Sequence, residues 1–548
     1  MKSRDGFEVV NSLTRDDEVT RRSVLRALGW SALGVAGGLP LGMPGSAHAQ
    51  KPKSGGTIKI GINENIDTLD PHNTSFITAC AIHNNIYNGL LKITYDGKTV
   101  DFKPQLAREW EIQGDRVHVF RLHKGLTFHN GEPCTAAEVK WSMERVKDKQ
   151  QSPIHAWKLE LLESIETQDS HTVKLSFAKP YPFLRVALTG STGRAGTIVS
   201  PKAVKESGKA YGRKPVGTGP FKFVEWKEGD YILVERNPNY WETDAAGNRL
   251  PFLDKVLFKF IIEPSTLVAA LQTGEMDGVN GVVPQFMASL RANPKLEAYT
   301  VVGGNWRNCH LNTAKEPFSD PILRKAVSFA VDRKEILERV DFGEGIVAHG
   351  PISPPMTGFF DAAWATGKNG QYSDLEQAKA LVKKSRYPNG AEVMLLSLNS
   401  GIYPRQAEVL QAQLAKIGLK VKIELHDSPS WRRKWLQERQ WDMVHLQWDA
   451  DLDPDETLFP ELHSKEAWNA GRWNNPEFDR LVEAARAEGD QKKRRRFYDE
   501  AVKLVVEDTP VVVILHANEQ KVFHKYVKGF QVIPANLVDM HAVWLDKA

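Results

Sequence analysis

A helix that ends on a glycine and is followed by two strands close together most constrains the fold, because it limits the C-terminal half of the chain to an α/β layer. The helix pattern runs from about Pro404 to Ile417 and stops at Gly418, a residue able to close a helix in the left-handed conformation. Leu419-Lys420-Val421-Lys422-Ile423-Glu424-Leu425 then alternates apolar and charged residues, as a half-buried strand does. A second strand is expected over Trp441 to Trp448, with Val444, Leu446 and Trp448 on one face. Upstream, Ser319-Asp320-Pro321 joins a cap to a proline at the first helical position and opens a helix carrying Leu323, Ala326, Val327, Ala330 and Val331. Helix and strand alternating in this way argue for an α/β lobe.

The N-terminal half has a different grain. Thr57 to Ile62 alternates as a strand after Gly55-Gly56, and Arg116 to Leu122 alternates again. Thr135-Ala136-Ala137-Glu138 is a capping box before a helix with Val139, Ser142, Met143 and Val146 on one stripe. From Val216 to Val279 strand patterns dominate, with turn chemistry at Asn237-Pro238-Asn239. At 548 residues the chain is too long for one core. It shows neither an internal repeat nor a low-complexity linker, so tightly joined lobes are expected. With 72 basic and 68 acidic residues and no basic block, a nucleic-acid partner is excluded. Cys80, Cys134 and Cys309 form no C-x-x-C pair, which excludes a zinc ribbon or a dithiol redox motif; they read as buried, inert residues.

The first 49 residues read as an address. Arg21-Arg22 precedes a soft apolar run, Ala27 to Met43, broken by Pro40 and followed by the small-x-small site at Ala47 and Ala49. The run is too short and punctuated for a permanent anchor. It resembles a bacterial twin-arginine (Tat) signal, which implies export by the Tat machinery to the periplasm.

From about residue 54 onward the chain resembles the extracellular solute-binding proteins of family 5, which serve peptide, nickel and opine ABC transporters. The marks arrive in order: Gly55-Gly56-Thr57, Asp67-Thr68-Leu69-Asp70-Pro71-His72, Ile86-Tyr87-Asn88-Gly89-Leu90, Pro104-Gln105-Leu106-Ala107 before Trp110, and Phe128-His129-Asn130-Gly131. Val216-Gly217-Thr218-Gly219-Pro220-Phe221, Asn237-Pro238-Asn239-Tyr240-Trp241 and Leu271-Gln272-Thr273-Gly274-Glu275-Met276-Asp277 follow. Most of these segments read as structural, His129 included. The resemblance implies a type II periplasmic binding protein of cluster C, with two hinged lobes plus an extra domain. Its expected parts are the signal at 1–49, lobe I at 50–95, the extra domain at 96–212, lobe I again at 213–305, lobe II at 306–515 and a return to lobe I at 516–548. Hinge strands are expected near Tyr299 to Asn312 and Val511 to Glu519. The implied protein is a monomer that makes and breaks no bonds, uses no cofactor and no metal, and hands a small peptide or amine-bearing solute to ABC permease subunits.

The site residues follow from the same resemblance. Trp448-Asp449-Ala450-Asp451 resembles the family's Trp-x-Ala-Asp segment, which assigns the ligand's ammonium to Asp451 and a pocket wall to Trp448. The spacing of Asp449, Asp451, Asp453 and Asp455 suggests a calcium loop, but Pro454 and Pro460 stand where that loop needs Gly and Glu. Asn399 to Arg405 corresponds to a loop that supplies a carboxylate-binding arginine in dipeptide binders, which makes Arg405 and Tyr403 candidates. Ser75 and Thr78 occupy a further ligand loop, and Trp431 and Trp306 are candidate walls. Two other readings stay open: a metal or haem carrier of the same fold, and an exported hydrolase. No histidine pair at i, i+4, G-x-S-x-G or H-E-x-x-H motif favours either.

Overall fold

The computed structural model describes residues 51–548 apart from 75, 191–193, 362, 364–369, 450, 451 and 548. The signal residues Arg21, Arg22, Ala47 and Ala49 lie outside the described residues, as do Ser75, Ala450 and Asp451. From Pro52 onward the chain forms one unit.

Its spine is a path of hydrogen-bonded strands organised about one long strand, Val511–His524. The first half of that strand pairs with Asn305–Leu311, and beyond it lie Met443–Asp449, Ala391–Leu398 and Leu419–His426, all segments expected in lobe II, and this half is termed lobe II. The second half pairs with Leu296–Val302 and Gly278–Asn280, leading to Thr57–Ile62, Lys255–Phe260, Tyr231–Arg236 and Phe221–Lys227, all segments expected in lobe I, and this half is termed lobe I. The partner of the long strand changes between Ala517, which faces Gly345, and Asn518, which faces Val302. A second crossing runs through Gly303-Gly304. Both crossings fall inside the two segments that the family resemblance marks as hinges.

Lobe II forms as its sequence pattern expects. Ala391–Leu398 leads through the helix Tyr403–Ala415 into Leu419–His426, and the two strands pair in parallel. Met443–Asp449 is parallel to Ala391–Leu398 as well, so three strand carboxyl ends, Leu398, His426 and Asp449, share one edge. The second strand starts two residues later than the pattern expects. Trp441 is instead sunk into the core, its indole N–H donating 3.0 Å to the Trp435 carbonyl.

The inserted domain holds an antiparallel sheet of Ala107–Gln113, Val117–Leu122, Thr172–Phe177 and Leu162–Asp169. Helix Ala136–Lys147 packs on it, started by the Thr135–Glu138 capping box and burying Val139, Ser142, Met143 and Val146. Close approach explains two glycines of the Val216–Phe221 segment, since a Cβ on Gly217 would meet the Ile86 carbonyl oxygen at 2.2 Å and one on Gly219 the Ile86 carbonyl carbon at 2.5 Å. His129 locks this turn: Gly217 N–H donates to its Nδ1 at 3.3 Å and its Nε2 lies 3.0 Å from the Gly219 carbonyl. All three cysteines are buried.

The strand-dominated reading of Val216 to Val279 needs one correction. A helix, Pro264–Thr273, interrupts it, capped by the Glu263 carboxylate and ended by Gly274 at φ 81°. Its core, Leu267-Val268-Ala269-Ala270-Leu271, is a short apolar run whose periodicity does not separate helix from strand.

Candidate functional site

The shared edge of carboxyl ends in lobe II opens onto a cavity of roughly 180 Å³. Leu398, Tyr403, Trp448 and Asp449 line it from that edge. Glu64, Phe76 and Ile77 face them from lobe I, and His155, Trp157 and Arg194 from the inserted domain. The cavity therefore touches every part of the molecule that closure could move.

Its electrostatics are two-signed. Burial pushes the Asp449 carboxyl up to about 7, with the Glu519 and Glu64 carboxylates adding to the shift. Gln447 Nε2 donates to Asp449 Oδ1 at 2.9 Å, and Arg307 opposes the rise from further off. Burial also raises the Glu64 carboxyl, although the Thr78 hydroxyl donates to it and Arg432 is near. Half-buried carboxylates of this kind are stabilised by an entering cation. Two guanidinium groups, Arg432 and Arg194, line the same cavity, Arg432 near enough to Glu64 to oppose the rise of its carboxyl. The Arg432 guanidinium lies 5.0 Å from the Phe76 ring centre and 5.8 Å from that of Trp468. Arg194 donates to Cys80 Sγ at 3.3 Å, and burial beside it keeps His155 neutral. A cavity lined by both carboxylates and guanidinium groups suits a molecule that carries both an amine and a carboxylate.

The structure gathers several of the candidates and disperses others. Trp448 is a wall, its indole N–H donating 2.9 Å to the Glu456 carbonyl. Trp431, Tyr403 and Asp449 line the cavity too, and Thr78 stands behind it on Glu64. Arg405 does not: it is exposed, with its guanidinium 5.1 Å from the Phe342 ring. Two residues along a helix is a turn of about 200°, so a cavity-facing Tyr403 turns Arg405 away. Trp306 is not a wall either, being fully buried with its N–H on Glu461 at 3.1 Å. The neighbouring acids are internal partners: Arg494 clamps Asp453 at 2.7 and 2.6 Å, and Arg486 lies 3.2 Å from Asp455. Among the described residues no group of three or more His, Cys, Asp or Glu side chains gathers to hold a metal ion.

Sequence reasoning missed Glu64, Phe76, Trp157, Arg194, Arg432 and Trp468. Only Glu64 carried a usable signal, since it stands two residues beyond the carboxyl end of Thr57–Ile62. A second cavity, about 300 Å³, lies among Lys92, Tyr240, Glu242, Asp539 and His541, away from lobe II.

Two lobes joined by a double strand crossing, with a charged cavity between them, define a solute-binding protein of the type II periplasmic class. The chain belongs to the bacterial extracellular solute-binding proteins, family 5, whose middle-region model matches residues 101–470. It is 25% identical over 509 residues to the glutathione-binding protein GsiB of Salmonella choleraesuis, covering 90% of this chain and 95% of that protein. The periplasmic binding protein DppA of Helicobacter pylori, solved with the peptide STSA, superposes with a TM-score of 0.80 at 27% identity over 90% of this chain and 99% of that one. AgaA of A. tumefaciens R10, solved with agropinic acid, gives a TM-score of 0.80 at 28% identity with the same coverage. The protein is thus the substrate-capturing component of an ABC importer and not an enzyme. DppA is a periplasmic binding protein, and among the described residues of the present chain no helix is long and apolar enough to cross a membrane.

Proposed function

We propose that the cavity captures a small peptide or similar solute bearing an ammonium group and a carboxylate, for delivery to the permease of an ABC importer. The observation that carries this reading is the Asp449 carboxyl, desolvated beside Glu64 and Glu519 at the mouth of the lobe II sheet. An ammonium between Asp449 and Glu64 relieves that repulsion with short charge-assisted bonds; the family resemblance assigns the ligand's ammonium to Asp451 as well. Arg432 and Arg194 receive the ligand's carboxylate. The cavity's roughly 180 Å³ is below the 300–1,000 Å³ of ordinary ligand pockets and suits a dipeptide-sized solute. Glutathione, the peptide STSA and agropinic acid, named for the three relatives, are all small organic solutes. Because the ligand touches both lobes, it favours the closed form by its differential affinity. The signal at 1–49 sends the protein to the periplasm by the Tat route, where it works as a monomer, with domain parts as the family resemblance sets them.

The test begins with mass spectrometry of whatever co-purifies with the protein from its host. Calorimetry with that compound then compares wild type with Asp449→Asn, Glu64→Gln and Asp451→Asn. Asp449→Asn is expected to weaken binding at least tenfold, about 1.4 kcal/mol. Unchanged affinity in both Asp449→Asn and Glu64→Gln would remove the proposed anchor.

A further inference from the structure

Lobe II faces the cavity with a wall of indoles. Trp431 and Trp435, with ring centres 4.9 Å apart, are 5% and 2% exposed and form its base. Trp468 lies 5.7 Å from Trp435 and meets Trp448 at 5.2 Å with their planes 81° apart. Trp448 and Trp468 are only half-buried, so the pair makes a right-angled aromatic corner on the cavity surface. The corner is held firmly, because the Trp448 N–H is fixed on the Glu456 carbonyl and the tryptophan cluster packs on Leu396, Val444 and Leu446. Across the cleft stands Phe76, and the Arg432 guanidinium spans the distance between Phe76 and Trp468.

Such a corner presents one ring face for offset stacking and one ring edge for a T-shaped contact, the two geometries that aromatic pairs prefer. A small aliphatic side chain would leave much of that surface uncovered, whereas a planar ring would meet both indoles at once. We propose that Trp448 and Trp468 are specificity determinants that select a solute with an aromatic side chain next to its ammonium group. The inference rests on the reading of the cavity as an amine-binding site and names the chemical class of solute within it. A cation could also stack in such a corner. The carboxylates of Asp449 and Glu64 already serve the charge, however, which leaves the indoles for the apolar group.

The experiment is calorimetry on the mature protein with the dipeptides Phe-Ala, Leu-Ala, Lys-Ala and Ala-Ala, repeated with Trp468→Ala and Trp468→Leu. Phe-Ala is expected to bind at least tenfold tighter than Ala-Ala and more tightly than Leu-Ala. Both variants are expected to reduce that preference to about twofold by weakening Phe-Ala more than Ala-Ala; Trp468→Leu retains apolar bulk, and its melting temperature checks folding. Equal affinity for Phe-Ala and Ala-Ala, a preference for Lys-Ala, or an equal loss for every dipeptide in both variants would overturn the aromatic selection and leave the amine site standing. If none of the four binds, the amine-site reading fails and the selection falls with it.

Discussion

Asp449 ends its strand half-buried with other acids near, and its protonation should govern both binding and stability. Its folded value of about 7 lies above the ordinary 3.8, so between these limits the folded protein holds a proton that the unfolded chain has released. The contribution of this group to stability therefore declines as pH rises from about 4 to 7 and is lowest above 7. Asp449→Asn is expected to raise the melting temperature at pH 8 by about 1–3 °C and to leave it unchanged at pH 4. Ligand binding has the opposite sign, since an ammonium needs the ionised carboxylate. Affinity should be constant above pH 7 and fall by up to about tenfold per unit below it. Calorimetry between pH 5.5 and 8 checks this: proton release on binding is expected, and a flat profile in wild type would contradict it.

At the scale of elements, local chemistry decides much, and two substitutions measure how much. Thr135→Ala removes the hydroxyl of the capping box and should cost about 1 kcal/mol in urea unfolding, with no effect on binding. Gly219→Ala drives a Cβ into the Ile86 carbonyl and should cost about 1–3 kcal/mol; a silent Gly219→Ala would mean that the turn yields easily. Elements with strong local signals were legible in the sequence. Thr57–Ile62 has the expected bounds, Asp320 caps the Pro321–Ala330 helix, and Gly418 takes a positive φ just past the Tyr403–Ala415 helix. The Pro264–Thr273 helix was not legible, because its apolar run is compatible with either period. The site was legible only where one segment carries it, as at Trp448-Asp449. Arg405 depends on a helix rotation that no local pattern states. Trp157, Arg194 and Trp468 reach the cavity from distant parts of the chain, and their meeting is a product of tertiary folding.

For the whole molecule the question is what holds the lobes together. Beside the cavity the inserted domain grips lobe II directly: Lys158 Nζ lies 3.0 Å from Glu456, with Lys158 1% exposed. Arg486 Nη2 donates to the Trp157 carbonyl and to the Tyr181 hydroxyl, each at 3.2 Å, while its guanidinium covers the Phe459 ring at 3.8 Å. On the clamshell reading proposed above, these contacts hold the two parts together without ligand, and closure in turn sets the apparent affinity. Arg486→Lys keeps a positive charge beside Asp455 but loses the planar grip. It should open the ligand-free protein, seen as a larger radius in solution scattering, and weaken binding several-fold although Arg486 does not line the cavity. An unchanged radius and affinity would show that the grip plays no part in closure. The central claim, that matched charge holds a small solute between the lobes, is tested most directly by a crystal structure of the mature protein with its co-purified ligand. A ligand nitrogen is expected within about 3 Å of Asp449 or Glu64, with the ligand's body against Trp448 and Trp468. A ligand seated instead in the lobe I cavity of Lys92, Glu242 and His541, with the cleft empty, would contradict it.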